Sequence, residues 1–254
     1  MEWPKDSSVS PWVYRFLSFA LLAAVWELAA RRVGSSVLLP PFTAVALRVA
    51  EQLRSHELWA ALRITAHALL VGFGLSVAVG IPLGVALGRV PALERLASPY
   101  LTVLLVAPIA PLVPLIMLIF GLGAAARVAV VFVSTVPMIV VNTATGVRTL
   151  DRDLMAMARS FGCPEWLMFR RVYLPGALPA IMAGLRLGCG RAIIGVVIAE
   201  LFIVTTGVGQ LIARYSATFK AADLFATVLI VLLLGVSVIY LMQYLERRVI
   251  HWRA

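Results

Sequence analysis

The chain has 254 residues, of which 62% are hydrophobic and only 13% are charged. Soluble domains are about half apolar and about one quarter charged, so this composition excludes an ordinary water-soluble domain and indicates several membrane spans. The formal net charge is +10, a value also found in nucleic-acid-binding proteins. Because the Lys and Arg residues fall mostly in short connections between apolar runs, they fit charges that flank membrane spans, and no nucleic-acid partner is expected.

Six apolar runs are each close to the ~20 residues that a helix needs to cross ~30 Å of hydrocarbon. They show no strict alternation, which favours helices over a β-barrel. The expected fold is an all-α polytopic membrane protein with six transmembrane helices in the lipid bilayer. The predicted spans cover residues 13–30, 64–87, 100–120, 128–147, 178–204 and 224–245.

Two parts of the chain are predicted from this pattern. Residues 1–62 hold an N-terminal tail, the first span and a periplasmic segment, and residues 63–254 hold a core of five spans. The first span is predicted to be a retained signal-anchor helix, since no convincing small-residue cleavage site follows it. More Lys and Arg residues flank the spans on the side of the termini, so both termini are expected in the cytoplasm together with the long connection 148–175.

The connection 148–175 is predicted to begin with a short amphipathic helix. Its apolar residues recur at i, i+3, i+4 and i+7, a spacing typical of one helix face. They are Leu154, Met157, Ala158 and Phe161. Arg159 falls on the remaining, polar surface.

Gly162 is well placed to end this helix, since glycine is common just beyond a helix C-terminus. Pro164 and Glu165 suit the first turn of a second helix, which carries Trp166 and Phe169 and which Leu174-Pro175 is expected to stop. Two interpretations follow. The pair could lie on lipid headgroups as an amphipathic hairpin, or it could dock as a rigid helix into a groove of a cytoplasmic partner.

This connection resembles the cytoplasmic signature loop of ABC transporter permeases, written E-A-A-x-x-x-G, nine residues, then I-x-L-P. The spacing from Gly162 to Val172-x-Leu174-Pro175 is kept, whereas Ala156 and Met157 replace the first Glu and the next Ala. Further segments are similar to the nitrate, sulfonate and taurine branch of these permeases. They are residues 38–41, 80–84, 120–123, 142–148, 174–179, 184–186, 199–200 and 207–209.

The resemblance implies a type I ABC importer permease fold in the bacterial inner membrane. It implies a subunit that forms the translocation pathway for a small solute delivered by a periplasmic binding protein. The implied partners are a second permease copy, in the simplest case the same chain, and two copies of a cytoplasmic ATP-binding subunit. The coupling residues it implies are Leu154, Met157, Ala158, Arg159, Phe161, Gly162, Pro164, Trp166 and Phe169.

The sequence places the energy source on another protein. It lacks the G-x-x-x-x-G-K-[ST] motif that cradles phosphates. ATP and Mg²⁺ are therefore expected on the partner ATPase, and no cofactor is expected in this chain. The His residues at 56, 67 and 251 have no metal-ligand spacing. Because no clustered acid, base or nucleophile is evident either, neither a metal site nor an enzyme activity is expected.

Small residues spaced four apart indicate where the spans pack closely, since such rows let helix backbones approach in lipid. The predicted helix-packing residues are Gly80, Gly84, Gly88, Gly184 and Gly188.

The third span contains Pro108, Pro111 and Pro114, which bend a helix and free backbone carbonyls. Such carbonyls are tolerated only against protein or a water-filled cavity, so a translocation path is expected beside this span.

Arg191 and Glu200 are charged residues within the fifth span, where charge is costly. They lie about 13–14 Å apart along one helix and so cannot pair with each other. Arg191 could favour an anionic solute such as a sulfonate, and a purely structural role is left open. The predicted path residues are Pro108, Pro111, Arg191 and Glu200.

Two alternatives remain. The same machinery could import a vitamin or a heterocyclic precursor, of riboflavin or thiamine-pyrimidine type, in place of a sulfonate, taurine or nitrate-type oxyanion. A different class is a secondary transporter or channel in which Arg191, Glu200 and His67 form a relay. That class predicts internal repeats or paired broken helices, and no convincing repeat is found in the sequence.

Overall fold

A computed structural model describes residues 11–34, 38–150, 152–203 and 206–250, and this part of the chain is helical without strands. The N-terminal helices are α1 (Pro11–Val33), α2 (Phe42–Leu53), α3 (His56–Arg89), α4 (Pro91–Val106), α5 (Ile109–Phe120) and α6 (Ala124–Arg148). They are followed by α7 (Arg152–Ser160), α8 (Glu165–Met168), a π turn (Phe169–Tyr173), α9 (Leu174–Phe202), α10 (Val208–Ala217) and α11 (Ala221–Val249).

The expected all-α fold with several spans is confirmed. Within the described residues, four helical stretches are long and apolar enough to cross a membrane: α3, α6, α11 and the continuous stretch Glu165–Phe202. Helices α4 and α5 pass the same test as a bent pair and bring the number to five. Helix α1 covers the predicted first span and is not among these stretches. A sixth span therefore stays a prediction.

The prediction of a single span over residues 100–120 is wrong in one respect. The chain there forms two helices, α4 and α5, that meet at an angle of 105°. Ala107 and Pro108 connect them in extended backbone, with ψ values of 126° and 122°. Because Pro108 has no N–H to continue α4, the helical hydrogen bonds stop there. Proline does bend this region, and the result is a broken or re-entrant element.

The prediction that Leu174-Pro175 stops the second helix of the connection is also wrong. The helix continues from α8 through the π turn into α9, and the Leu174 N–H donates to the carbonyl of Phe169, five residues back. A proline ring crowds the carbonyl four residues before it. The π turn widens the backbone just before Pro175, and the helix passes this crowding without breaking.

The chain divides into two compact units. One comprises Met1–Trp59 and Leu211–Ile230, and the other Ala60–Gln210 and Val231–Ala254. Residues 211–230 thus join the N-terminal unit, although they are distant from it in sequence. The predicted division at residue 62 was a boundary along the sequence and stays a prediction.

The N-terminal unit is built around Trp26 of α1. Its indole N–H donates to the Pro40 carbonyl at 3.0 Å, and its ring centroid lies 5.7 Å from those of Phe42 and Phe225. On α10, Arg214 pairs with Glu57 at 2.7 Å. The hydrogen bond to this carboxylate raises the pKa of Arg214 above its ordinary value. Aromatic packing and polar pairing together fix this unit.

Helix α6 is the centre of the second unit, because α3 and α9 both approach it through glycines. A Cβ added to Gly72, Gly80, Gly84 or Gly88 of α3 would lie 2.5–2.9 Å from the nearest side-chain atom of α6. The facing α6 residues are Val131, Ile139, Thr143 and Val147. On α9, a Cβ at Gly184 would lie 2.8 Å from Asn142, and one at Gly188 would lie 3.2 Å from Ile139 and Thr135. All five predicted helix-packing glycines lie at these approaches.

We expect Gly84→Ala to lower the thermal stability of the protein. The new methyl group would lie 2.5 Å from Thr143 Cβ and 2.8 Å from the Val140 carbonyl oxygen, and overpacking of this kind costs roughly 1–3 kcal/mol. Gly74→Ala is the matched control, since a Cβ on that glycine of the same helix meets no neighbouring described atom within 4 Å. The measurement is the unfolding temperature in detergent. Equal temperatures for the two variants would show that α3 does not depend on this approach.

Candidate functional site

The first half of the predicted coupling connection is α7, which ends at Ser160, and Gly162 lies two residues beyond it. This glycine has a φ of +69°, in the left-handed region that favours glycine. The Cys163 N–H donates to the Ala158 carbonyl at 3.1 Å, and the Phe161 N–H donates to the Met157 carbonyl at 3.1 Å. A bond spanning five residues across a left-handed glycine is the Schellman arrangement. It turns the chain sharply towards Pro164 and α8.

We call residues 152–173, from α7 through the π turn, the coupling segment. Four of its large apolar side chains are exposed, and we call them the exposed patch. They are Met157, Phe161, Trp166 and Leu167. Phe161 is 85% exposed, and Trp166 stacks on the half-buried Phe169 with ring centroids 6.0 Å apart. The side chains of Leu154 and Arg159, two other predicted coupling residues, lie outside the described part of the structure.

The coupling segment is attached to the rest of its unit by Met168 and Tyr173. Met168 is completely buried and Tyr173 nearly so, in a cluster with residues of α3, α6 and α9. In an α-helix, residues five apart point about 140° away from each other. The π turn brings these two side chains to the same side. The 3.6-residue period of an α-helix does not group residues five apart, so this pair was not predicted from the sequence.

Two ion pairs join the segment and its surroundings to the ends of the packed helices. Arg89, the last residue of α3, pairs with Glu165 of α8, and its guanidinium lies 4.7 Å from the ring centroid of Tyr173. Arg148, the last residue of α6, pairs with Glu94 of α4. These ion pairs were not predicted from the sequence. Arginines in the last turns of two long helices, where positive charge is favoured, were the available signal.

Of the predicted path residues, Pro108 and Arg191 lie near each other and Glu200 does not face a path. Arg191 is exposed and lines a small pocket at the α4–α5 break, together with Ala107, Ile109 and Ser134. Pro108 forms the break itself, and Pro111 is exposed in the first turn of α5.

Among the described residues, no three His, Cys, Asp or Glu side chains come together as a metal site requires.

The prediction that Glu200 lines the path is corrected by its burial. Its side chain has no exposed surface. The Thr65 hydroxyl lies 2.9 Å from both carboxylate oxygens, and the Gly209 N–H donates to one of them at 3.0 Å. The Val208 N–H in turn donates to the Thr65 hydroxyl oxygen at 3.0 Å. Glu200 therefore places its carboxylate at the start of α10, where the helix dipole favours negative charge.

The backbone of Gly207-Val-Gly209 lies close against Glu200. Gly207 has a φ of +98°, and a Cβ there would lie 2.2 Å from Glu200 Cδ. A Cβ on Gly209 would lie 2.5 Å from Glu200 Cβ. The two glycines allow the backbone to fold closely around the acid. This G-x-G pair is thus part of a turn that holds Glu200.

Residues 80–251 match the family described as "Binding-protein-dependent transport system inner membrane component". The chain belongs to this family. It is therefore a multi-pass inner-membrane permease subunit of the ABC transporter class, a component for transport and not for catalysis. The matched region includes α6, the coupling segment and the Glu200 turn.

Known relatives extend the match to nearly the whole permease. The chain is 33% identical over 246 residues to an aliphatic sulfonates transport permease protein, SsuC, of Escherichia coli (strain K12), covering 96% of this chain and 92% of the relative. It is 29% identical over 237 residues to the formylaminopyrimidine transport permease protein ThiX of Halalkalibacterium halodurans, covering 93% and 94%. Both relatives are permease proteins, one named for aliphatic sulfonates and the other for formylaminopyrimidine.

A solved structure supports the fold. A chain of the inward-facing MetNI methionine ABC transporter aligns with a TM-score of 0.60 at 22% identity, covering 77% of the permease and 93% of that chain. At this identity the likeness establishes the fold, which is that of a type I ABC importer permease.

We expect Gly207→Ala to destabilise the permease much more than Gly121→Ala. Both glycines have positive φ values, +98° and +76°, so both variants incur a backbone cost of about 1–2 kcal/mol. Only the Cβ at residue 207 would collide with Glu200, while the one at residue 121 meets no described atom within 4 Å. Unfolding temperatures of the two purified variants measure the difference. If Gly121→Ala unfolds at the same temperature, the close fit around Glu200 contributes nothing.

Proposed function

We propose that this permease forms, with a second copy of itself, the translocation pathway of an ATP-driven importer for a small sulfonate-type oxyanion. A periplasmic binding protein delivers the solute, and two cytoplasmic ATP-binding subunits hold ATP and Mg²⁺. Both termini and the coupling segment lie in the cytoplasm. This chain itself carries no cofactor and performs no hydrolysis.

The observation that carries the proposal is the exposed patch on a firmly attached segment. Large exposed apolar side chains concentrated on one short segment are typical of an interaction site, and in the sequence Arg170 and Arg171 lie between them and the apolar part of α9. A hairpin resting on lipid would bury its apolar side in the headgroup region. In this permease, the side of the coupling segment that carries Met168 and Tyr173 already packs on α3, α6 and α9. The remaining apolar side favours a protein groove, as helix-in-groove docking requires.

The same contacts explain how a movement of the ATPase would reach the membrane. A force on the patch acts on α8, which is bonded to the end of α3 through Arg89 and Glu165. It also acts on Met168, which is enclosed by side chains of α3, α6 and α9. Because packed interiors transmit displacement and do not absorb it, the segment and these helices would move together.

The substrate class rests on Arg191 and on the relatives. Arg191 is exposed at the α4–α5 break and has no hydrogen bond or ion pair with any described residue. A guanidinium presents paired donors that match the oxygens of an oxyanion. Similarity to SsuC, named for aliphatic sulfonates, supports this class. Similarity to ThiX, named for formylaminopyrimidine, supports the alternative of a heterocyclic vitamin precursor.

Phe161→Glu is expected to separate the permease from its ATPase. Loss of a central aromatic anchor weakens an interface by at least ~2 kcal/mol, a factor of about 30. Phe219→Glu is the matched control, an exposed phenylalanine two residues beyond α10. The measurement is the amount of ATP-binding subunit that co-purifies from native membranes, together with ATP-dependent uptake. Undiminished co-purification of Phe161→Glu would remove the docking role, and uptake without ATP would indicate a secondary transporter or channel.

Arg191→Gln is expected to reduce uptake of a sulfonate about tenfold, which corresponds to ~1.4 kcal/mol, because the charge that attracts the anion is lost. Arg191→Lys keeps the charge and should retain most of the activity. Uptake of a labelled sulfonate and of a neutral pyrimidine is measured in the same membranes. Selective loss of sulfonate uptake supports the oxyanion path. An equal loss for both solutes assigns Arg191 a structural role only.

A further inference from the structure

A cationic cavity that is open to the surface lies in the second unit, away from the coupling segment. Its volume is about 500 Å³, which is within the range of small-ligand sites. The apolar lining residues are Ala60, Ile64, Ala68 and Ala124. The remaining lining residues are Arg63, His67 and Arg127, so the wall contains three nitrogen-bearing side chains and no carboxylate.

Arg127 is the buried member of this set, with only 7% of its surface exposed. Its Nη1 donates to the hydroxyl and carbonyl oxygens of Thr206. Its Nε is buried and has no hydrogen-bond partner among the described residues. A guanidinium has five N–H donors, so most of its bonding capacity is unused. Nη2 also forms no hydrogen bond with a described residue, and the small exposed part of the Arg127 side chain lines the cavity.

The charge of Arg127 is also incompletely balanced. No described carboxylate lies within 4.0 Å of it as an ion pair. Glu200 attracts it from a greater distance, but the Glu200 oxygens already accept bonds from Thr65 and Gly209. An anion in the cavity would accept hydrogen bonds from donors of Arg127 that Glu200 does not engage.

Arg63 and His67 lie on one face of α3, four residues apart, and both are exposed. Neither has a hydrogen bond or ion pair with a described residue. The fourth group at the cavity is the N-terminus of α6. Its first residue, Ala124, lines the cavity, and no side chain caps this helix end. Free backbone N–H groups at a helix N-terminus favour anions. Two exposed side chains, one buried guanidinium and a helix end therefore converge on this space.

We propose that this cavity binds one oxyanion group, a sulfonate, sulfate or phosphate ester, between Arg63, His67 and Arg127. Such groups have several acceptor oxygens, which match the planar donor fork of arginine. Two sources offer this chemistry, a free small oxyanion and the headgroup of an anionic phospholipid. The site is a property of the single chain and does not depend on the importer function.

Binding of labelled methanesulfonate to the full-length chain in phosphatidylcholine nanodiscs tests the proposal. Wild type should bind saturably, and Arg63→Gln should bind about tenfold more weakly, because a charged hydrogen bond at the cavity is lost. Arg54→Gln is the matched control, another exposed arginine that lies outside the cavity lining. Arg63 is exposed, so its replacement should leave the fold intact, and the unfolding temperature checks this.

A second arm places the same proteins in nanodiscs that also contain phosphatidylglycerol, and native mass spectrometry counts the lipid retained. Sulfonate binding that depends on Arg63 supports the site with a free oxyanion as its ligand. Retention of phosphatidylglycerol by wild type and its loss in Arg63→Gln supports the site with a lipid headgroup as its ligand. The proposal is overturned if neither probe binds, or if Arg63→Gln and Arg54→Gln bind alike. Because no ATP or partner is present, these outcomes are independent of the test of the importer.

Discussion

The close approach of α3 and α9 to α6 is the contact on which the rest of the second unit depends. Inside a bilayer, lipid is as apolar as the side chains, so burial of apolar surface gives little drive for helices to associate. Dispersion contacts between surfaces that fit closely must supply it. The glycines at 80, 84 and 88 allow this fit by removing the Cβ atoms that would collide with Ile139, Thr143 and Val147. A rigid bundle of this kind can carry a displacement from one end to the other.

The coupling segment takes its rigidity from this bundle. Met168 and Tyr173 insert beside α3, α6 and α9, and Arg89 connects the end of α3 to Glu165. The exposed patch is therefore held by contacts on its inner side, while Phe161 remains open to a partner. This division of the segment into a buried and an open side relates the family's role as a transport component to specific side chains. It also explains why the aromatic residues of the segment do not all have the same function.

Buried polar groups in this membrane protein follow two different arrangements. Glu200 is fully enclosed, and its acceptors are matched by Thr65 and the backbone of Gly209. Arg127 is also buried, but one of its nitrogens has no partner among the described residues. The first arrangement stabilises a turn between α9 and α10. The second leaves donors of Arg127 unused beside the proposed anion cavity.

The sequence by itself determined the membrane class, the positions of most helices, the glycine rows and the end of α7 just before Gly162. These features depend on local properties: apolar runs of sufficient length, spacing of small residues, and the left-handed backbone that glycine favours. The tertiary structure alone decided the 105° break at Pro108, the continuous helix through Pro175, the pairing of Met168 with Tyr173 and the burial of Glu200. Each of these depends on which residues meet across helices. Spacing along one helix cannot reveal such contacts, since a proline or a charge is compatible with several environments until its neighbours are known.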